Sequence, residues 1–157
     1  MSDYLKTIYN ENLVPRTNYP QLLAKRLIDK YQIKKSDHIL EVGCGRGEVL
    51  CGFKLYGNNC YGLDQSNAFQ KNLEDEGINF IMHKVDKNIK LPFDDETFDI
   101  VYTKSFLEHI SDPEPLILEF KRILKTGGKM INLVPDWETN FKIYFDDFTH
   151  KRPFTKF

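Results

Sequence analysis

The chain has almost no surplus of charge of either sign. It carries 22 lysines and arginines against 23 aspartates and glutamates over 157 residues, a formal net charge of −1. Such a balance gives no global drive toward nucleic acid or an anionic membrane, so neither is an expected partner. Cysteine is also scarce. Cys44, Cys51 and Cys60 form no Cys-x-x-Cys pair and are odd in number, which argues against a disulfide framework and makes a reducing cytoplasm the expected location. Their spacing, even with His38 or His83 added, matches no common zinc pattern, and they read as small buried hydrophobes. No apolar run approaches the ~20 residues of a membrane helix. The opening Met1-Ser2-Asp3-Tyr4-Leu5-Lys6 lacks the apolar stretch of a signal peptide. Internal repeats, low-complexity tracts and interdomain linkers are missing as well.

What is present is the composition of an ordinary folded domain, 41% hydrophobic, 29% charged and 13% aromatic, and the length suits a single domain over 1–157. Residues 1–18 read as an irregular arm in which Tyr4, Leu5, Ile8 and Tyr9 make an apolar stripe. A helix is expected from about Pro20, with Leu22, Leu23, Leu27, Ile28 and Tyr31 on its apolar side and Lys25, Arg26, Lys30, Lys34 and Lys35 as a solvated basic face. From Asp37 onward strand and helix alternate. Strands are expected at 38–42, 60–64, 78–85, 97–103 and 129–134, with helices at 48–56, 67–76 and 113–125. The last helix is the clearest, with Leu116, Ile117, Phe120, Ile123 and Leu124 on one face and Gly127-Gly128 as its stop. This alternation predicts an α/β fold, a doubly wound and mostly parallel sheet of about five strands with helices on both faces. Ligands of such sheets bind beyond the carboxyl ends of the strands.

The strongest local signal is Glu41-Val42-Gly43-Cys44-Gly45-Arg46-Gly47-Glu48, which leaves a strand and opens a helix. Its glycines permit unusual backbone angles and close approach to a ligand. The dinucleotide fingerprint is G-x-G-x-x-G, but here the third position holds Glu48. A carboxylate there repels a pyrophosphate, so the expected ligand is a nucleoside without a phosphate chain. Asp64 ends the second strand, 17 residues past Gly47. It can accept hydrogen bonds from both hydroxyls of a ribose, or simply form the turn before Asn67.

Taken together, the motifs resemble a class I S-adenosylmethionine-dependent methyltransferase of the group acting mainly on small molecules. The matching stretches are Glu41 to Gly47, Gly62-Leu63-Asp64, Asp86 with Leu91-Pro92-Phe93, Thr97 to Val101, Leu107-Glu108-His109-Ile110, and Leu124 to Gly128. The resemblance implies roles for individual residues. Glu41 orients the glycine turn near the cationic methionine end, Gly43, Cys44 and Gly45 pass under the cofactor, and Asp64 holds the ribose with Gln65 beside the adenine. Asp86 faces the adenine amino group, flanked by Val85 and Lys87, while Lys104 and Ser105 line the methionine end. The cofactor implied is S-adenosylmethionine, with S-adenosylhomocysteine as product. The acidic run Asp94-Asp95-Glu96 reads as a solvated turn.

The C-terminal segment, 136–157, is the expected substrate side. Asp146-Asp147-Phe148-Thr149-His150 followed by Arg152-Pro153-Phe154-Thr155 resembles a segment of methyltransferases encoded with glycan genes. The implied acceptor is a small molecule or saccharide, methylated at oxygen. His150 is the candidate general base, or alternatively a structural histidine bonded to Asp147 or another carboxylate. Arg152 suits an anionic substrate, and His109 reads as positional support. Asp146, Asp147 and His150 offer a metal only two carboxylates, and no metal site is expected.

The resemblance is incomplete. The family sheet has seven strands, the last two a hairpin, and only 22 residues follow Pro135. The fifth strand is therefore expected to be an edge, covered by the C-terminal aromatics, a homodimer or a partner chain. Two further readings follow: a catalytically silent cofactor-binding subunit, and a nicotinamide dehydrogenase, which Glu48 disfavours.

Overall fold

The computed structural model describes residues 15–85 and 89–155. The expected stripe of Tyr4, Leu5, Ile8 and Tyr9 lies outside them, as do Asp86 and Lys87. Helix α1 (Tyr19–Tyr31) leads into β1 (His38–Val42), α2 (Glu48–Leu55), β2 (Asn59–Asp64), α3 (Gln70–Asp75) and β3 (Asn79–Met82). Then come β4 (Phe98–Lys104), a 3-10 turn (Leu107–His109), α4 (Glu114–Ile123) and β5 (Leu124–Leu133). A short α5 (Trp137–Asn140) and a second 3-10 turn (Tyr144–Asp146) close the described chain.

All five strands are parallel, in the order β3-β2-β1-β4-β5. Parallel strands need both faces covered, and β1 shows why this sequence supplies that. Ile39 joins the apolar layer formed with Ala24 and Leu27 of α1 and Leu50 and Phe53 of α2. Leu40 and Val42 join the opposite layer with Leu116, Phe120 and Ile123 of α4. The helices α1 and α2 cross closely because position 52 has no side chain. A Cβ on Gly52 would stand 2.7 Å from the Ala24 Cβ. Leu22, assigned to the apolar side of α1 by its spacing, is instead 58% exposed, and Ala24 takes the buried position.

One boundary differs from the expectation. Helix α4 ends at Ile123, and β5 begins at Leu124, ahead of the glycine pair. Leu124 pairs with Phe98, the Lys125 ammonium reaches Asp99 at 2.8 Å, and Thr126 donates to Glu96 at 2.7 Å. These contacts pull 124–126 into the sheet. Gly127 and Gly128 then sit where the β4–β5 register shifts, with Gly127 at φ +81°, rather than acting as the helix stop. Strand β3 and helix α3 are each shorter than their apolar patterns implied.

The acidic run at 94–96 is exposed, as expected of a solvated turn, and two of its side chains are also tied to neighbouring elements, Glu96 to Thr126 and Asp95 to Arg122. Arg122 of α4 donates to both Glu119 oxygens at 2.8 Å, to Asp95 at 2.7 Å and to the carbonyl of Phe93 at 2.9 Å. Glu119 in turn accepts from the Leu91 N–H at 2.9 Å. The guanidinium thereby fastens the loop before β4 to α4. Replacing it by methionine keeps the stem and removes the fork. We expect Arg122→Met to cost about 2 kcal/mol, after allowing for the exposure of the Asp95 arm. That is a fall of roughly 4–8 °C in Tm for a domain this size, read by thermal unfolding.

Candidate functional site

The chain runs outward from β1 to β2 to β3 and then returns to the other side of β1 as β4. Between β1 and β4 the crossovers leave on opposite faces, which opens a crevice at the carboxyl ends of those strands. A cleft of about 470 Å³ lies there, within the range of small-molecule sites. Gly43 and Gly45 form its floor, Asp64, Gln65 and Val85 line one side, and Ser105, Phe106 and His109 line the other. Thr149 and Lys151 of the C-terminal segment complete the far end.

The floor is a turn in which Gly43, Gly45 and Gly47 adopt φ of +75°, +51° and +64°. It is tied to β2 through backbone bonds. The N–H groups of Gly43 and Cys44 donate to the Leu63 carbonyl at 2.8 and 3.2 Å, and Gly45 donates to Asp64 Oδ2 at 2.9 Å. The other oxygen of Asp64 accepts from the Ser66 N–H at 3.0 Å. Asp64 is therefore a turn former, and it still reaches the cleft wall. A carboxylate offers about four acceptor positions, so two remain for a ligand. Ser105, at φ +50°, bends the chain away from β4 at the opposite rim, a left-handed conformation that a serine adopts only under constraint. Phe106, which no spacing singled out, lies over the floor: a Cβ on Gly43 would fall 2.3 Å from its Cδ2 atom.

Three expected cofactor residues lie off the cleft wall. Cys44 turns its thiol into the core, where its sulfur would stand 2.9 Å from a Cβ on Gly62, so only its backbone belongs to the floor. Lys104 is half-buried at the end of β4; burial raises the pKa of two nearby carboxyls, Glu41 and Glu108, and the Lys104 charge partly opposes that rise. Glu41 lies buried at the end of β1, opposite Tyr102 in the β1–β4 register. Its Oε2 and the Tyr102 hydroxyl both lack hydrogen-bond partners. At the third fingerprint position, Glu48 pairs with the buried Arg46 at 3.1 Å. This partial neutralisation was not foreseen from the glycine spacing.

Burial pushes the Glu41 carboxyl up to about 8, with Lys104 opposing and Asp64 and Glu48 adding to the shift. The folded chain thus binds a proton more tightly than the unfolded one. The stability associated with neutral Glu41 is complete below about pH 4.5 and declines as pH rises toward 8, then levels. We expect Glu41→Gln to flatten this decline, so that the variant's Tm changes less than the parent's between about pH 5 and pH 8. Parallel thermal melts across that range check it.

His150 is not on the cleft wall. Its Nδ1 meets the Tyr144 carbonyl at 2.6 Å, and its ring lies 5.0 Å from that of His109. Asp147 stands 3.7 Å from Nε2, beyond hydrogen-bond reach. His109, assigned only positional support, is the histidine of this pair that faces the cleft. The reason is tertiary. Lys151 and Arg152 donate their N–H groups to the Glu108 carbonyl at 2.8 and 3.2 Å, which sets the C-terminal segment behind the turn carrying His109. Arg152 is exposed, and its neighbour Lys151 reaches the cleft instead.

Residues 40–132 match the family described as "Methyltransferase domain". The chain belongs to that family. The methyltransferase domain is 37% identical over 108 residues to an uncharacterized methyltransferase of Schizosaccharomyces pombe, covering 61% of this chain and 39% of that protein. It is 29% identical over 123 residues to a ubiquinone biosynthesis O-methyltransferase of Coxiella burnetii, covering 76% of this chain and 51% of that one. It thus spans about half or less of the length of these two relatives. An S-adenosylmethionine-dependent methyltransferase from Archaeoglobus fulgidus superposes with a TM-score of 0.73 at 25% identity, covering 98% of this chain and 69% of the other. Fold class, family and cofactor class agree with the expectation from the motifs. No helix among the described residues is long and apolar enough to cross a membrane.

Proposed function

We propose that the cleft binds S-adenosylmethionine and that the domain transfers its methyl group to an oxygen of a small-molecule or glycan-like acceptor. The observation that carries this reading is the joining of the glycine floor to Asp64, which leaves carboxylate lone pairs at one end of the cleft and His109, Thr149 and Lys151 at the other. The residues present fit the cofactor. Gly43 and Gly45 admit it closely, Asp64 takes the ribose hydroxyls with Gln65 and Val85 beside the adenine, and Ser105 borders the methionine end. Glu41, buried at the end of β1 with its Oε2 unpartnered, keeps the role near the methionine end that the family resemblance implies. Asp86 and Lys87 keep the adenine-side roles that the family resemblance implies.

When bound, S-adenosylmethionine supplies an electrophilic methyl whose leaving group is a neutral thioether. The chain's contribution is alignment: floor and walls hold the acceptor oxygen in line with methyl and sulfur, a proximity effect. Lys151 attracts an anionic acceptor. A hydroxyl acceptor must also lose its proton, and the polar groups around His109 stand where that proton leaves. His150, behind them, acts at most through His109.

A second reading has its own observation. Among the described residues β5 pairs only with β4, so its outer edge is open to a second copy or a partner chain. On that reading the domain is a silent cofactor-binding subunit of such an assembly. Calorimetric titration with S-adenosylmethionine and S-adenosylhomocysteine, followed by transfer of labelled methyl to sugars, nucleotide sugars and phenols, tests both. Micromolar binding with labelled product supports the enzyme, and binding without transfer to any acceptor supports the subunit. No binding by a folded chain overturns both.

A further inference from the structure

The turn after β4 and the C-terminal segment bring together three metal-ligating side chains: Glu108 and His109 on the first, His150 on the second. One ligand atom from each lies within 4.8 Å of the other two. Glu108 is fully buried at 0% exposure, and neither of its carboxylate oxygens has a hydrogen-bond partner. A carboxyl so placed must be matched by a cation or kept neutral, because its charge has lost its water.

Both imidazoles are set in the tautomer that a cation needs. The Tyr144 carbonyl, 2.6 Å from His150 Nδ1, can only accept, so Nδ1 carries the proton and Nε2 the lone pair. Thr149 gives its hydroxyl proton to Asp147, so its Oγ1 accepts from His109 Nδ1 at 2.9 Å, and Nε2 of His109 is again the bare nitrogen. Metal-binding histidines nearly always donate their other ring N–H in this way, to a carbonyl or toward a carboxylate. Here one does so directly and the other through a threonine.

We propose that Glu108, His109 and His150 bind a divalent first-row cation of the zinc(II) type. Two imidazoles and a carboxylate suit such an ion and leave coordination positions open. Bonds of about 2.1 Å place tetrahedral ligand atoms roughly 3.4 Å apart, so from separations within 4.8 Å the cluster closes by at most about 1.4 Å on binding. The ion pins the C-terminal segment to the turn after β4. Because His109 is also on the cleft wall, the ion sits beside the acceptor end, where it would polarise an acceptor hydroxyl. That use rests on the methyltransferase reading, whereas the binding does not. The sequence pattern raised only Asp146, Asp147 and His150 as a metal set and led to no expected site, since Glu108 and His109 stand far from His150 along the chain.

The test uses the whole chain, freed of metal by chelation, without cofactor or acceptor. Zinc(II) is titrated in competition with a chromophoric chelator, and cobalt(II) is followed by its d–d absorption. The expected result is one equivalent bound, with cobalt bands free of sulfur-to-metal charge transfer. Binding should weaken at least about tenfold in Glu108→Gln and in His150→Gln and stay unchanged in Asp146→Asn. Circular dichroism verifies folding, and the two variants lie on different segments, so misfolding of one leaves the other as the test. Failure of the folded parent to take up either metal overturns the proposal. So does a thiolate charge-transfer band, or uptake that both folded variants retain.

Discussion

Asp64→Ala is expected to weaken S-adenosylhomocysteine binding by about 100- to 1,000-fold, equivalent to roughly 3–4 kcal/mol. Two effects combine. The variant removes the carboxylate positions left for the ribose, and it removes the acceptor of the Gly45 N–H that holds the floor in place. The Gly45 donor is buried, and leaving such a group unpaired costs about 1–3 kcal/mol. The variant should therefore also melt earlier. Asp64→Asn separates the two effects. Its amide oxygen still accepts from one backbone N–H while the charge is gone, so Tm should recover more than affinity does. Calorimetry with thermal melts on the same samples reads both quantities. Parent-like affinity in a folded Asp64→Ala would remove the cofactor role from this carboxylate.

Gly43→Ala is expected to be the most destabilising single change in the floor. A methyl group at φ +75° costs about 1–2 kcal/mol in backbone conformation. That methyl would also lie 2.3 Å from the Phe106 ring, and overpacking of this kind typically adds about 1–3 kcal/mol. Together these predict a loss of about 2–5 kcal/mol, or roughly 5–15 °C in Tm. Cofactor binding falls as well, because Phe106 can make room only by moving within the cleft. Adding Phe106→Ala to Gly43→Ala removes the collision and keeps the backbone strain. The double variant should therefore be less destabilised than the sum of the single changes, a coupling that thermal unfolding of the four-member cycle measures. Strict additivity would mean that ring and floor do not meet as described.

The elements that were legible in the sequence are those whose signal is local. The run from His38 to Val42 is apolar enough to be buried on both faces, and three glycines directly after it mark a turn at a strand end. The parallel topology followed from alternation, because parallel strands need covered crossovers. Asp64 was legible for the same reason: its place at the end of β2 is set by chain distance from the turn. The boundary of α4 was not, because pairing with Phe98 and bonds to Asp99 and Glu96 outweigh the helical spacing that runs on to Leu124.

By itself the sequence determined the α/β class, the strand count, the glycine floor with its carboxylate, and the family. Each rests on the order of residues within successive strand–turn–helix units and on the alternation of those units along the chain, where covalent spacing dictates geometry. Only the tertiary structure decided which side chains share the cleft. It placed Phe106 over Gly43, turned Cys44 inward, exchanged His150 for His109 on the wall, and assembled Glu108 with the two histidines. These are contacts between segments far apart in the chain. They depend on how the C-terminal segment docks through backbone bonds to the Glu108 carbonyl, and backbone bonds of that kind leave no mark on residue type.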